Sequence, residues 1–165
     1  MRQERFTEQA QEALALSQEL VRHYHHNQWD VEHILLALLQ QEKGLVSDIL
    51  SELGIDIEAV KQQVGATLEK IPKVTYETGQ IYATPRVQWL LQAAAAEADR
   101  LKDEFISTEH LLIAIAGEQK GEAVDILHRF GIDQEKIYRP SGYSGWTPGY
   151  RCQSREQISL PGKVW

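Results

Sequence analysis

The stretch DVEHILLALLQQEKGLVSDILSELGIDIE, Asp30 to Glu58, returns as STEHLLIAIAGEQKGEAVDILHRFGIDQE, Ser107 to Glu135. Glu109 follows Glu32, Gly121 follows Gly44 and Gly131 follows Gly54 by the same 77 positions, with no gap between the anchors. Thr84 keeps that distance from Thr7, so the register reaches back to the start of each copy. A fixed internal period marks a fold built from repeated units, each unable to bury its apolar face alone. It also places candidate binding sites in pairs and argues against many one-site enzymes.

The period within each copy is helical. Thr7 is expected to cap a first helix whose apolar positions Ala10, Leu14 and Val21 recur at helical spacing. Asp30 caps a second helix carrying Leu35, Leu38 and Leu39, and Gly44 ends or follows it. A third, VSDILSEL, stops at Gly54 as a left-handed terminator, and Asp56 opens a fourth with Gly65 as a weak point. Residues 71–83 hold Pro72 and Gly79 and read as a connector, partly extended. The second copy repeats the order: Thr84 with Pro85 at the first helical position, Ser107, the short helix between Gly121 and Gly131, and a last truncated helix after Asp133. The predicted fold class is all-α, two tandem four-helix repeats packed as a pseudo-twofold eight-helix bundle. Repeat one covers 1–70 and repeat two 84–139, giving one double domain over 1–139. From 140 to 165 the helical period is lost among Gly142, Gly145, Gly149, Pro148, Pro161 and Gly162. This Gly/Pro-rich stretch reads as an irregular tail, with Tyr143, Trp146 and Tyr150 as an alternative partner contact.

Composition narrows the function. An apolar share of 42% with 25% charged residues is that of an ordinary globular chain. No apolar run approaches the ~20 residues of a membrane span. The N-terminus MRQERFTEQAQ has no apolar core of a signal peptide. The single Cys152 rules out an internal disulfide and fits a reducing compartment, so a cytoplasmic location is expected. Arg151, Arg155 and Lys163 against Glu156 leave residues 141–165 at +2, so the first 140 carry −9 of the total −7. An acidic body disfavours nucleic acid, whose binding is driven by phosphate neutralisation. It favours cationic ligands.

The chain has no G-x-x-x-x-G-K-[ST], G-x-G-x-x-G, H-E-x-x-H or G-x-S-x-G pattern, and its one thiol lies in the irregular tail. No catalytic residue, cofactor or metal is expected. His23, His25 and His26 cluster at the end of the first helix, where protonated histidine suits the negative end of the dipole. The paired feature is Glu32-His33 and Glu109-His110, at the start of each second helix. The histidines read as hydrogen-bonding groups within a helix junction. The glutamates lie two residues beyond a capping residue, and Thr7 or Thr84 opens the first helix of each copy. If these N-termini converge, one pocket offers a carboxylate to a cation and free N–H groups to an anion, which suits a zwitterionic group such as a modified arginine.

The runs RFTEQAQEALALSQE, DVEHILLALL, STEHLLIAIA, GLVSDILSELGID, GEAVDILHRFGID and ATPRVQWLLQAAAAEA together resemble the double N-terminal domain of Clp AAA+ unfoldases. The resemblance covers about residues 1 to 139; LEKIPKV leans towards the B-type disaggregase, whereas FISTEHLL and ATPR also resemble the C-type. It implies a bundle that recruits unfolded, aggregated or tagged client proteins, or adaptor proteins, to a hexameric Clp ATPase ring. By resemblance to the C-type, Thr7, Glu32, Thr84 and Glu109 form two phosphoarginine pockets. By resemblance to the B-type, Thr7, Asp103 and Glu109 handle exposed segments of aggregated clients. Ala83 stands where Phe6 stands in the first copy, so the second pocket is expected to lack an aromatic wall. Glu32→Ala and Glu109→Ala are each expected to weaken client binding with helicity intact. The rival readings are a free-standing accessory protein that regulates a Clp ATPase or protease, a plain structural bundle, and a small helical enzyme around His33, His110 and the two glutamates Glu32 and Glu109. The last has no activated nucleophile to work with.

Overall fold

Eight helices follow one another in two sets of four in this computed structural model, which describes residues 5–75 and 80–138. The first set is α1 Glu8–His23, α2 Val31–Gln40, α3 Leu45–Glu52 and α4 Ile57–Lys70. The second is α5 Pro85–Arg100, α6 Thr108–Ala116, α7 Glu122–Arg129 and α8 Gln134–Tyr138. The all-α, two-repeat fold class is therefore correct. The reading of 140–165 as a tail lies outside the described residues.

The local chemistry explains where the helices start and stop. Thr7 Oγ1 accepts the Ala10 N–H at 3.1 Å, and Thr84 Oγ1 accepts that of Val87 at 3.3 Å, with Pro85 at the first helical position. Asp30 and Asp56 cap α2 and α4 in the same way. Gly54 and Gly131, at φ 75° and 78°, end α3 and α7 in the left-handed region. Two expectations are sharpened. Gly44 follows α2, as one of its two readings had it, and opens α3, because Gln41 already turns to an extended conformation and its carbonyl accepts Ser47 Oγ at 2.6 Å. Gly65 does not interrupt α4, whose buried stripe Val60, Val64 and Leu68 holds it as one helix.

Both second helices lie at the centre. Every residue of α2 from Val31 to Leu39 is buried, as is α6 apart from Glu109. Helices this apolar on all sides belong inside a bundle. Accordingly, α2 packs on α1, α3, α4, α5, α6 and α7, and α6 packs on α1, α2, α3, α5, α7 and α8. The two repeats share a single core.

Extended pairs then cross the repeats. β1 (Gln28–Trp29) pairs in parallel with β2 (Tyr82–Ala83), and an isolated bridge joins Phe6 to Ile106. Both pairings obey the 77-residue offset, since Ala83 is the copy of Phe6 and Ile106 the copy of Trp29. Each first helix is thereby delivered to the second helix of the other copy. The aromatic missing at Ala83 is not missing from its surroundings: Trp29 stands beside it on the paired strand and donates Nε1–H to Ser17 Oγ at 2.8 Å. Phe6–Ile106 and Ala83–Trp29 are equivalent pairings with the aromatic on opposite strands.

Candidate functional site

The crossed pairing brings helix N-termini together in two junctions. One joins the start of α5 to the start of α2, so Thr84 meets Asp30 and Arg86 meets Glu32. The Thr84 N–H bonds the Trp29 carbonyl at 3.0 Å, and Thr84 Oγ1 donates to Asp30 Oδ1 at 3.0 Å. The other joins the start of α1 to the start of α6. There the Thr7 N–H bonds the Ile106 carbonyl at 3.0 Å, two residues before the α6 turn that carries Glu109. The N-termini do converge, but across the copies: Thr7 is bonded just ahead of the helix that carries Glu109, and Thr84 just ahead of the helix that carries Glu32. Neither junction is built from a single copy.

The Thr84 junction is strongly ionic. Arg86, in the first turn of α5, makes a two-pronged pair with Glu32 at 3.1 and 3.0 Å. It also reaches Glu118, on the loop after α6, at 2.9 and 3.3 Å, and Asp30 at 3.3 Å. Glu32 is only 3% exposed and also accepts the Ala123 N–H at the start of α7, 3.0 Å away. Burial alone would lower the Arg86 pKa. The hydrogen bonds of Glu118 and Glu32 overcome that and hold the guanidinium above its ordinary range.

The Thr7 junction has the same plan, with neutral groups at three of the charged positions. Gln9 replaces Arg86, Ser107 replaces Asp30 and Gln41 replaces Glu118 at the 77-residue offset. Gln9 Nε2 donates to the Lys43 carbonyl at 2.7 Å, and Gln41 Nε2 donates to the Gln9 carbonyl at 3.0 Å. Glu109 is half-buried, with Ser107 Oγ at 3.3 Å from its carboxylate. Phe105, half exposed, immediately precedes Ile106, and exposed Leu45 follows Gly44 next to the Gln9–Lys43 contact. Carboxylate, threonine cap and an apolar rim thus share one end of the bundle.

The histidines behind the glutamates serve the caps. His33 Nδ1 accepts the Asp30 N–H at 3.0 Å, and His110 Nδ1 accepts the Ser107 N–H at 2.9 Å. With Nδ1 accepting, Nε2 must carry the proton. His110 then donates to Asp103 Oδ2 at 2.9 Å. Asp103 is thus held against a buried imidazole, its side chain 12% exposed. In the first copy His26 takes the place of Asp103, and His33 Nε2–H meets His26 Nδ1 at 2.9 Å. For His26 this departs from the expectation of a charged histidine at the end of α1. Protonating His26 at Nδ1 would set two donors face to face. Burial and Lys73 both lower its pKa. Burial, then His26, lowers that of His33 from 6.5 to about 4. Among the described residues no group of His, Cys, Asp and Glu is arranged to hold a metal, and no helix is long and apolar enough to cross a membrane.

A pH dependence follows. An unfolded His33 takes up a proton near pH 6.5, whereas the folded one refuses it until about 4. Its contribution is fully present above 6.5 and is lost as pH falls through that window. Over 1.5 pH units the loss is about 2 kcal/mol. Urea unfolding at pH 6.5 and 5.0 should show it, and His33→Gln, which keeps an acceptor for the Asp30 N–H, should flatten the slope. An unchanged slope in that variant would refute the assignment.

Sequence reading missed Arg86, Asp30 as an ion-pair partner, and Glu118. A signal was present: where the first copy has the neutral pair Gln9 and Gln41, the second has Arg86 and Glu118, of opposite charge.

Comparison with known proteins agrees with the fold. The Clp repeat (R) N-terminal domain model matches residues 5–130. The chaperone protein ClpB of Bacillus cereus is 38% identical over 134 residues, covering 79% of this chain and 15% of that protein. The chain therefore spans only a small part of such relatives. The Hsp104 N-terminal domain from Candida albicans superposes with a TM-score of 0.72 at 20% identity, over 82% of this chain and 88% of that one. A ClpV N-domain solved in complex with a VipB peptide gives 0.68 at 21%, over 86% and 90%. With two crossed repeats, capped helix junctions and this match over most of its length, the chain belongs to the Clp N-terminal repeat domain family.

Proposed function

We propose that this chain is a recognition domain that recruits client or adaptor proteins to a Clp ATPase ring and performs no catalysis itself. The observation that carries the reading is the crossed meeting of helix N-termini, which sets Thr7 beside the Glu109 turn. The carboxylate suits a guanidinium and the N-terminal N–H groups suit an anion, so an arginine-phosphorylated segment is the zwitterionic ligand of best fit. Phe105 and Leu45 at the rim offer apolar contact to an unfolded segment. An acidic body of −9 favours basic clients over nucleic acid. The ClpV N-domain, of the same fold, is known with a peptide bound. Thr84, Glu32 and Asp103 belong to the framework that holds the sites in this reading. The cytoplasm, where clients and ring would meet, is the compartment proposed.

Calorimetric titration tests this with three ligands: an arginine-phosphorylated peptide, its unmodified twin, and a chemically unfolded client protein. Saturable binding of the phosphorylated peptide, weaker for its twin, is expected. Binding of the unfolded client alone would reassign recognition to the apolar rim. No saturable binding of any of the three would overturn the reading.

A further inference from the structure

Helix α5 has two apolar faces, and the core takes only one. Val87, Leu90, Ala94 and Ala98 are buried. On the outside Pro85, Trp89, Ala93 and Ala96 are exposed at helical spacing, and the exposed strand Tyr82–Ala83 leads into them. Trp89 is 73% exposed, the most open large apolar side chain among the described residues. Gln88 and Gln92, also exposed on these turns, are uncharged. The one charge there, Arg86, is turned to Asp30, Glu32 and Glu118. The first copy puts glutamates on this face. Glu8, Glu12 and Glu19, all exposed, stand at the 77-residue offset from Pro85, Trp89 and Ala96. The fold is therefore served by a charged outer face, and the apolar stripe on α5 marks a contact instead.

The chain itself supplies a segment that fits. α8 ends at Tyr138, whose ring centroid lies 5.6 Å from the guanidinium of Arg100, the last residue of α5. The stretch outside the described residues thus starts at the C-terminal end of the same helix. Trp89 precedes Arg100 by eleven residues, about 16 Å along the axis. Trp146 follows Tyr138 by eight, a reach of about 26 Å when extended. Tyr143 and Trp146 therefore come within range of the whole stripe. From Ser141 to Tyr150 the sequence SGYSGWTPGY carries no charge, like the face itself. Residues 141–165 together carry +2 against −9 for the first 140, which favours their return to the body.

We propose that residues 141–150 dock along the outer face of α5, running from its end towards its start, with Tyr143 and Trp146 packed on Trp89 and the alanines at 93 and 96. The small alanines leave level ground beside the indole on which a second aromatic ring can stack or meet it edge to face. A tethered segment needs little affinity of its own, because an effective concentration in the millimolar range fills a weak site. Docking removes apolar surface from water next to the Thr84 junction. The inference stands apart from the client-binding reading.

A nitroxide on Cys152, the only thiol of the full chain and two residues past Tyr150, reads the contact by nuclear magnetic resonance. The Trp89 indole and the backbone amides of Gln88, Gln92 and Ala96 should lose most of their intensity, and reduction of the nitroxide should restore it. Trp89→Glu, which copies Glu12, should abolish the loss with helicity unchanged by circular dichroism. Tyr143→Ser with Trp146→Ser, made on the other side of the contact, should abolish it as well and serves if Trp89→Glu disturbs the helix. No loss along α5 in the unaltered chain, or a loss that survives both variants, would overturn the proposal. A mixture of labelled copies with isotope-enriched copies carrying Cys152→Ser should show no broadening. Broadening there would assign the face to a second copy and overturn docking within the chain. So would a silent nitroxide together with α5 resonances shifted by an unfolded client, which would assign the face to a partner.

Discussion

Replacing Glu32 with alanine should destabilise the fold by about 3 kcal/mol, because it breaks a buried ion pair that joins the two repeats. Glu32 is 3% exposed, yet its carboxylate holds Arg86 of the second repeat with two hydrogen bonds and caps α7 of the same repeat at Ala123. Removing one partner of a buried pair typically costs 3–5 kcal/mol, since the remaining charge loses its compensation. Arg86 is one-third exposed and keeps Asp30 and Glu118, which places the loss at the lower end. Urea unfolding measures it. A double-mutant cycle with Arg86→Met should show strong non-additivity, because each substitution removes the same contact. A stability within about 0.5 kcal/mol of the unaltered chain would contradict the junction as described. The original expectation, that Glu32→Ala leaves the fold untouched, therefore separates from that for Glu109, which lies half-buried at the other junction.

The helices and their order were legible in the chain because their signals are local and occur twice. Thr7, Asp30, Asp56 and Thr84 are short polar residues before apolar periodic runs, and each caps its helix. The crossing of the repeats was not legible. It depends on pairs of two residues, Gln28–Trp29 with Tyr82–Ala83, too short to leave an alternating pattern. The Arg86–Glu32 pair spans 54 positions and breaks the repeat instead of following it. An offset that matches like with like points to shared residues, so it found both glutamates and passed over the arginine that distinguishes their surroundings. His26 was hidden for a related reason. As a member of a histidine-rich run it suggested charge, whereas burial, Lys73 and the contact with His33 together favour the neutral form.

The Thr7 junction is the recognition site proposed above, and the combined substitution Thr7→Ala with Glu109→Gln addresses it directly. Thr7 caps α1 through the Ala10 N–H, and Glu109 is the only residue of α6 not buried. Loss of a charge-assisted hydrogen bond to a ligand is worth about 1.5–3 kcal/mol, or roughly tenfold to a hundredfold in affinity. The decisive measurement is a calorimetric titration of the arginine-phosphorylated peptide into the unaltered chain and into this double variant, with circular dichroism confirming equal helicity. The account predicts at least a tenfold loss of affinity in the double variant. Equal affinities in two equally folded proteins would contradict it.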